Sequence, residues 1–218
     1  MFKMKTASSL LLATALLCGQ VFADPSTTMM QDVQKLQHEW ELIKYKTDED
    51  KQEAAFKALS TQAHKISEAY AGQAEPLVWE AIILSTYAGA KGGLGALSLA
   101  EKARDILLQA EKINPDALGG SVYTSLGSLY YQVPGWPIGF GSDKKARNYL
   151  EKALQVNPNG IEANYFYGDF LYEEGEYEKA LQTLTKALNA PKRAGREITD
   201  AGRRKEIAAR IEDVKRQL

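Results

Sequence analysis

The chain has 218 residues, 44% of them apolar and 25% charged, with a net charge of −1. That profile fits a soluble globular chain long enough to build a continuous core. So small a net charge excludes an electrostatic case for nucleic-acid binding, and the lone cysteine, Cys18, excludes a disulfide framework.

Residues 1–23 read as a signal peptide. Lys3 and Lys5 form a positive start, residues 7–17 are an apolar run too short to span a bilayer, and Val21-Phe22-Ala23 supplies the small residues of a cleavage site. The expectation is cleavage after Ala23 and export to the periplasm. A lipid-modified cysteine takes a small residue before it and Leu three before. Cys18 has Leu17 and Ala15 there, so membrane attachment through a lipid is not the expectation.

Residues 24–75 read as an N-terminal helical hairpin, either a degenerate repeat or a cap. Its first helix, 30–46, carries Val33, Leu36, Trp40 and Ile43 at helical spacing, and its second, 48–70, carries Ala55, Leu59, Ala63 and Ile66. Three further hairpins follow, over 76–115, 120–158 and 161–191. In the second helix of each, Ala, Leu and Ala recur on one face, as Ala103/Leu107/Ala110, Ala146/Leu150/Ala153 and Ala180/Leu184/Ala187. Small residues there let a neighbouring helix approach while Leu fills the gap. Pro115, Pro158 and Pro191 then end the helices. In the partner helices Gly127 and Gly168 recur, and a glycine costing about 1 kcal/mol in a helix interior marks close helix contact. Residues 192–218 form a last helix with Ile207, Ile211, Val214 and Leu218 on one face, suited to cap the array; its charged opposite face reads as solvated, with contact to anionic lipid headgroups or an acidic partner as the alternative.

Two connections look irregular. The stretch GAKGGLGA (89–96) reads as a glycine-rich turn between helices, since a phosphate loop would follow a strand and end in Gly-Lys-Ser/Thr. The stretch VPGWPIGFGS (133–142) reads as an insertion, with Asp143 capping the next helix. A plain turn leaves Trp136, Ile138 and Phe140 wet. They either fold over the helix ends as a small satellite core, packed against 89–96, or form an apolar lip for a partner; the satellite core is the favoured reading. His38 and His64 each lie within a helix, without the cysteines or acidic motif of a zinc site and without a nucleophile in catalytic order. The expectation is a non-enzymatic chain needing no cofactor or metal.

These marks resemble the tetratricopeptide repeat, a helical hairpin of roughly 34 residues. The third unit carries them almost without gaps, at Tyr167-Gly168, Leu171, Ala180, Leu184, Ala187 and Pro191; the first departs furthest, with Ile83 where glycine is expected and Trp79 at the bulky place. The resemblance implies an all-α solenoid of about nine helices whose first helices line a concave groove. In that groove would stand Glu80, Leu84 and Tyr87; then Ser121, Thr124, Ser128, Tyr131 and Gln132; then Glu162, Tyr165, Phe166, Asp169, Tyr172 and Glu173. The implied function is a scaffold holding a protein or peptide partner, with Tyr87, Tyr131, Trp136, Phe140, Tyr165, Asp169 and Tyr172 as candidate contacts. The leader, the insertions and the run PNGIEANYFYGDFLYEEG are together similar to exported repeat proteins of another kind, the T component associated with tripartite (TRAP) carboxylate transporters. That second resemblance implies an oligomeric transport accessory binding or passing a small ligand, with Lys91, Lys144 and Lys145 as candidates to meet an acid.

Overall fold

The computed structural model describes residues 25–218; the expected leader, its expected cleavage site and Cys18 lie outside the described residues. Among the described residues nine helices follow one another: α1 (Pro25–Lys46), α2 (Glu49–Ala69), α3 (Ala74–Lys91), α4 (Gly93–Ile113), α5 (Ala117–Gln132), α6 (Asp143–Val156), α7 (Ile161–Glu173), α8 (Tyr177–Leu188) and α9 (Glu197–Lys215). The fold is an all-α solenoid.

Helices α3 and α4, α5 and α6, and α7 and α8 pair as three hairpins. The Ala/Leu/Ala sets supply their seams, and all nine of those side chains are buried. Glycine closes the second and third seams at the same place. A Cβ on Gly127 would stand 2.6 Å from Leu150 Cγ, and one on Gly168 would stand 2.7 Å from Leu184 Cγ. Only a bare Cα lets those helices meet so closely.

The first hairpin is built differently from the expectation. Ile83 does not take the glycine's place: with Trp79 and Tyr87 it faces α1 and α2, packing with Val33, Leu36, Trp40, Phe56, Leu59 and Ala63. The face of α3 in the cluster with α4 is Leu77, Ala81, Leu84 and Ala88. Helix α3 is apolar on both faces because it is buried on both, so no single stripe fixes its register.

The glycine-rich stretch 89–96 is not a loop. Helix α3 runs to Lys91 and α4 starts at Gly93, with Gly92 (φ 62°) the whole connection. Ala96, Leu99 and Ala100 pack into the core, and that burial outweighs the poor helix propensity of the glycines. A kink at the start of α5 holds Leu118, Gly119 and Gly120 at φ 52°, 64° and 78°. Leu118 has a Cβ and so bears strain there, offset by packing against two core clusters at once.

The termini meet. Helix α2 has α3, rather than α1, as its main neighbour, so the N-terminal pair is not a fourth copy of the hairpin. Helix α1 crosses to touch α3 and α9. There the buried Glu41 Oε2 accepts hydrogen bonds from Thr199 N (3.1 Å) and Thr199 Oγ1 (2.6 Å), joining residues 158 positions apart. Gly202 admits the Tyr45 ring, which any Cβ would strike. On its other side α9 buries Ile207, Ile211 and Val214 against α7 and α8. At about 1.5–3 kcal/mol for each buried aliphatic side chain, α9 is an integral part of the fold.

Candidate functional site

The inner wall of the third hairpin comes from α7, where Glu162, Tyr165, Phe166, Asp169, Tyr172 and Glu173 recur at helical spacing. The wall is not open. Arginines two turns apart on α9 lie along it. The Arg203 guanidinium stands 4.4 Å from the Tyr165 ring centre and 5.0 Å from that of Phe166, with its Nε 2.8 Å from Glu162 Oε2. Arg210 lies 4.6 Å over Tyr172, with Nε 2.6 Å from Asp169 Oδ1 and Nη1 3.6 Å from Glu173. Arg196, two turns earlier than Arg203, lies 5.3 Å over Trp79 of α3. Each arginine thus meets an aromatic face, an arrangement worth more where water is excluded.

The electrostatics follow from this crowding. Burial raises the pKa of Glu162, but Arg203 and Arg193, whose Nη2 lies 3.1 Å away, outweigh it and hold the carboxyl below its ordinary value. Burial pushes the Tyr165 hydroxyl up to about 12. Tyr131 donates to Asp169 Oδ2 at 2.6 Å, and burial together with that carboxylate raises its pKa well above the usual range. The charged face expected to be solvated on α9 is therefore partly internal: Arg203 and Arg210 neutralise the inner wall of its own chain.

The seven candidate contacts divide into two groups. Tyr87 is buried in the core facing α1 and α2, not exposed in a groove. Tyr131, Tyr165, Asp169 and Tyr172 converge on the inner wall beneath α9 and are engaged within the chain. Trp136 and Phe140 lie in the α5–α6 loop and part company there. Phe140 packs edge-on against Tyr130 at 5.7 Å, with the Arg104 guanidinium 4.4 Å over its face. Trp136 keeps 90% of its surface and Ile138 keeps 69%. The satellite core expected from the sequence thus contains Phe140 but neither Trp136 nor Ile138. Their neighbour Pro137 is exposed as well. The loop meets α4 rather than the 89–96 turn, with Gly139 near Leu97. The cap of α6 is Ser142, whose Oγ accepts from Lys145 N at 3.4 Å; Asp143 is the first helical residue.

Lys91 is held by Glu53 at 3.1 Å, while Lys145 lies 5.0 Å over the Tyr130 ring. His38 and His64 are bound to the buried Glu41 and Glu80, each at 2.9 Å, and Ser67 also donates to Glu80, so this set ties α2 to α3. Sequence reasoning missed Glu41, Tyr45, Arg203 and Arg210. The two-turn spacing of Arg196, Arg203 and Arg210 was the available sign of the last two, hidden among the other charges of α9.

The hairpins, their glycine–leucine seams and the terminal helix define an all-α helical repeat protein. The family model for the tetratricopeptide repeat matches residues 144–194, which cover α6, the third hairpin and the turn after it. Residues 144–194 thus carry a tetratricopeptide repeat. Among solved structures it is similar to TTC0263, a thermophilic tetratricopeptide-repeat protein of Thermus thermophilus, at 19% identity and a TM-score of 0.57, over 87% of this chain and 91% of that one. It also aligns with PilF of Pseudomonas aeruginosa at 18% identity, over 88% of this chain and 92% of that one, but the TM-score of 0.37 bears no argument. No curated protein matches the sequence.

Proposed function

We propose that the chain is an exported, non-enzymatic scaffold for protein–protein contact, and that its partner is met on the outside of the solenoid rather than along the third hairpin's inner wall. One observation carries this reading. The side chains a groove-bound peptide would need, Tyr165, Asp169 and Tyr172, are already paired with Arg203 and Arg210 of α9. A peptide entering there would have to displace α9, and with it the burial of Ile207, Ile211 and Val214. The outer face of α6 has no helix over it: Asp143, Lys144, Arg147, Asn148, Glu151 and Glu174 border an open recess of about 410 Å³, with Arg147 paired to Glu174 and Glu176 at its edge and Asn148 free of such pairing. Mixed charge around a shallow recess suits the polar rim of a transient interface. Export rests on the leader read from residues 1–23.

The test is site-specific photo-crosslinking in the periplasm, with the reactive side chain placed at Asn148 or at Tyr172. The expected result is a partner captured from Asn148 and none from Tyr172. A partner captured from Tyr172 alone overturns the outer-face reading, and a chain retained in the cytoplasm overturns export.

A further inference from the structure

Trp136, Pro137 and Ile138 are three consecutive exposed apolar positions at the tip of the α5–α6 loop. The other exposed large apolar side chains among the described residues, Leu42, Ile113, Val156 and Leu218, keep between 37% and 59% of their surface and lie on other segments. Scattered apolar residues of that kind are ordinary. A tryptophan at 90% beside an isoleucine at 69% is not.

The tip is held out, not left loose. Ile138 and Gly139 both donate to the Gly135 carbonyl at 3.1 Å, Gly141 donates to that of Pro134 at 3.0 Å, and Ser142 to that of Tyr130 at 2.7 Å. Phe140, between Tyr130 and Arg104, fastens the base of the loop to α4 and α5. Little freedom remains to be lost when the tip binds something.

Charge a few residues after the tip in the chain points to an anion. Lys144 and Lys145 are exposed in the first turn of α6, where the helix dipole is already positive and cations are disfavoured. Asp143 is the one acidic residue of that turn, and among the described residues neither lysine has an ion-pair partner, Lys145 lying only over the Tyr130 ring at 5.0 Å. The shape argues against a rigid protein surface. Even if each supplied the roughly 250 Å² of a large aromatic, two side chains would fall far short of the roughly 800 Å² per partner of a stable interface. A bilayer interface needs no matching pocket, and it takes tryptophan rings at headgroup level while anionic lipids draw nearby lysines.

We propose that residues 136–138 form an interfacial anchor for a bilayer containing anionic lipid, with Trp136 and Ile138 entering the headgroup region and Lys144 and Lys145 meeting lipid phosphate. Such binding is reversible and needs no lipid on Cys18. It is separable from the protein-partner reading: Lys144 serves both, but Trp136 and Ile138 belong to the loop tip and do not line the recess of α6 around Asn148.

The test uses residues 24–218, which contain every described helix, with vesicles of phosphatidylethanolamine alone or mixed with phosphatidylglycerol. Trp40 and Trp79 are buried, so Trp136 supplies the solvent-exposed emission. On mixed vesicles that emission shifts to the blue, is quenched by brominated lipid, and the protein floats with the vesicles. The double variant Trp136→Ser/Ile138→Ser loses flotation about tenfold or more while its melting temperature stays unchanged. Lys144→Gln/Lys145→Gln lowers binding to mixed vesicles about fivefold per lysine and removes their advantage over uncharged ones. Equal flotation of wild type and the Trp136/Ile138 variant overturns the proposal. So does a blue shift that grows with protein concentration without lipid, which marks self-association, or one produced by periplasmic extract and not by vesicles, which marks a protein partner.

Discussion

The inner wall of the third hairpin and the α5–α6 loop dispose of their aromatic side chains in opposite ways. On the wall, Tyr165, Phe166 and Tyr172 lie under arginines from α9, and their polar neighbours Glu162 and Asp169 are neutralised by the same guanidiniums. In the loop, backbone hydrogen bonds fix the path of the chain while Trp136 stands in solvent. One region spends its recognition chemistry on its own fold, and the other presents it. Substitutions on the wall should therefore cost stability, whereas those at the loop tip should cost none.

The largest expected effect is at Arg203. Arg203→Ala leaves Glu162 half-buried beside Arg193 alone and uncovers two rings, a loss of about 3 kcal/mol. Chemical denaturation measures it, and a loss under about 1 kcal/mol would show that α9 merely rests on the wall. Next comes Gly141→Ala, whose Cβ would collide with the Val133 carbonyl. The loop can detach without unfolding the helices, which limits the cost to about 2–3 kcal/mol. Proteolysis between 133 and 142 should then accelerate while the helical circular dichroism persists.

Phe140→Ala removes the fastening of the same loop for about 2 kcal/mol, read as a lowered melting temperature. A smaller effect comes from acid. The folded carboxyls of Glu41 and Glu162 are both held below the ordinary value of 4.5, so the stability they contribute is complete above that pH and is lost as pH falls through their folded values. Glu162→Gln should flatten this limb of a melting temperature–pH curve; an unchanged limb would assign it to other carboxyls. Smallest of all is Trp136→Ser, which should leave stability within about 0.5 kcal/mol of wild type. A larger drop would mean the tip packs on the chain in solution and would erase the contrast between the two regions.

Much of this was legible in the sequence. The Ala/Leu/Ala sets lie at the hairpin seams, and the two recurrent glycines mark where the helices touch. Local periodicity carries such information because each seam joins segments close in sequence. The first hairpin was misread because α3 is apolar on both faces, so Ile83 and Ala81 cannot be told apart by pattern. The turn within 89–96 is present at Gly92, but its brevity was not legible, because glycine composition reports propensity while the partial burial of Ala96 and Leu99 keeps α4 helical across the rest. The cover over the inner wall was illegible for a third reason. It depends on where α9 returns in space, and no spacing along α7 encodes that.

The bond between Glu41 and Thr199 has a consequence for how the chain comes apart. An open stack of repeats has two free ends, and each can peel away at the cost of one neighbour contact. Here the first helix is fastened to the last, so neither end can leave alone. Amide exchange in α1 and α9 should be as slow as in the middle of the stack, and loss of the latch in Glu41→Ala should turn a single cooperative transition into fraying from both ends.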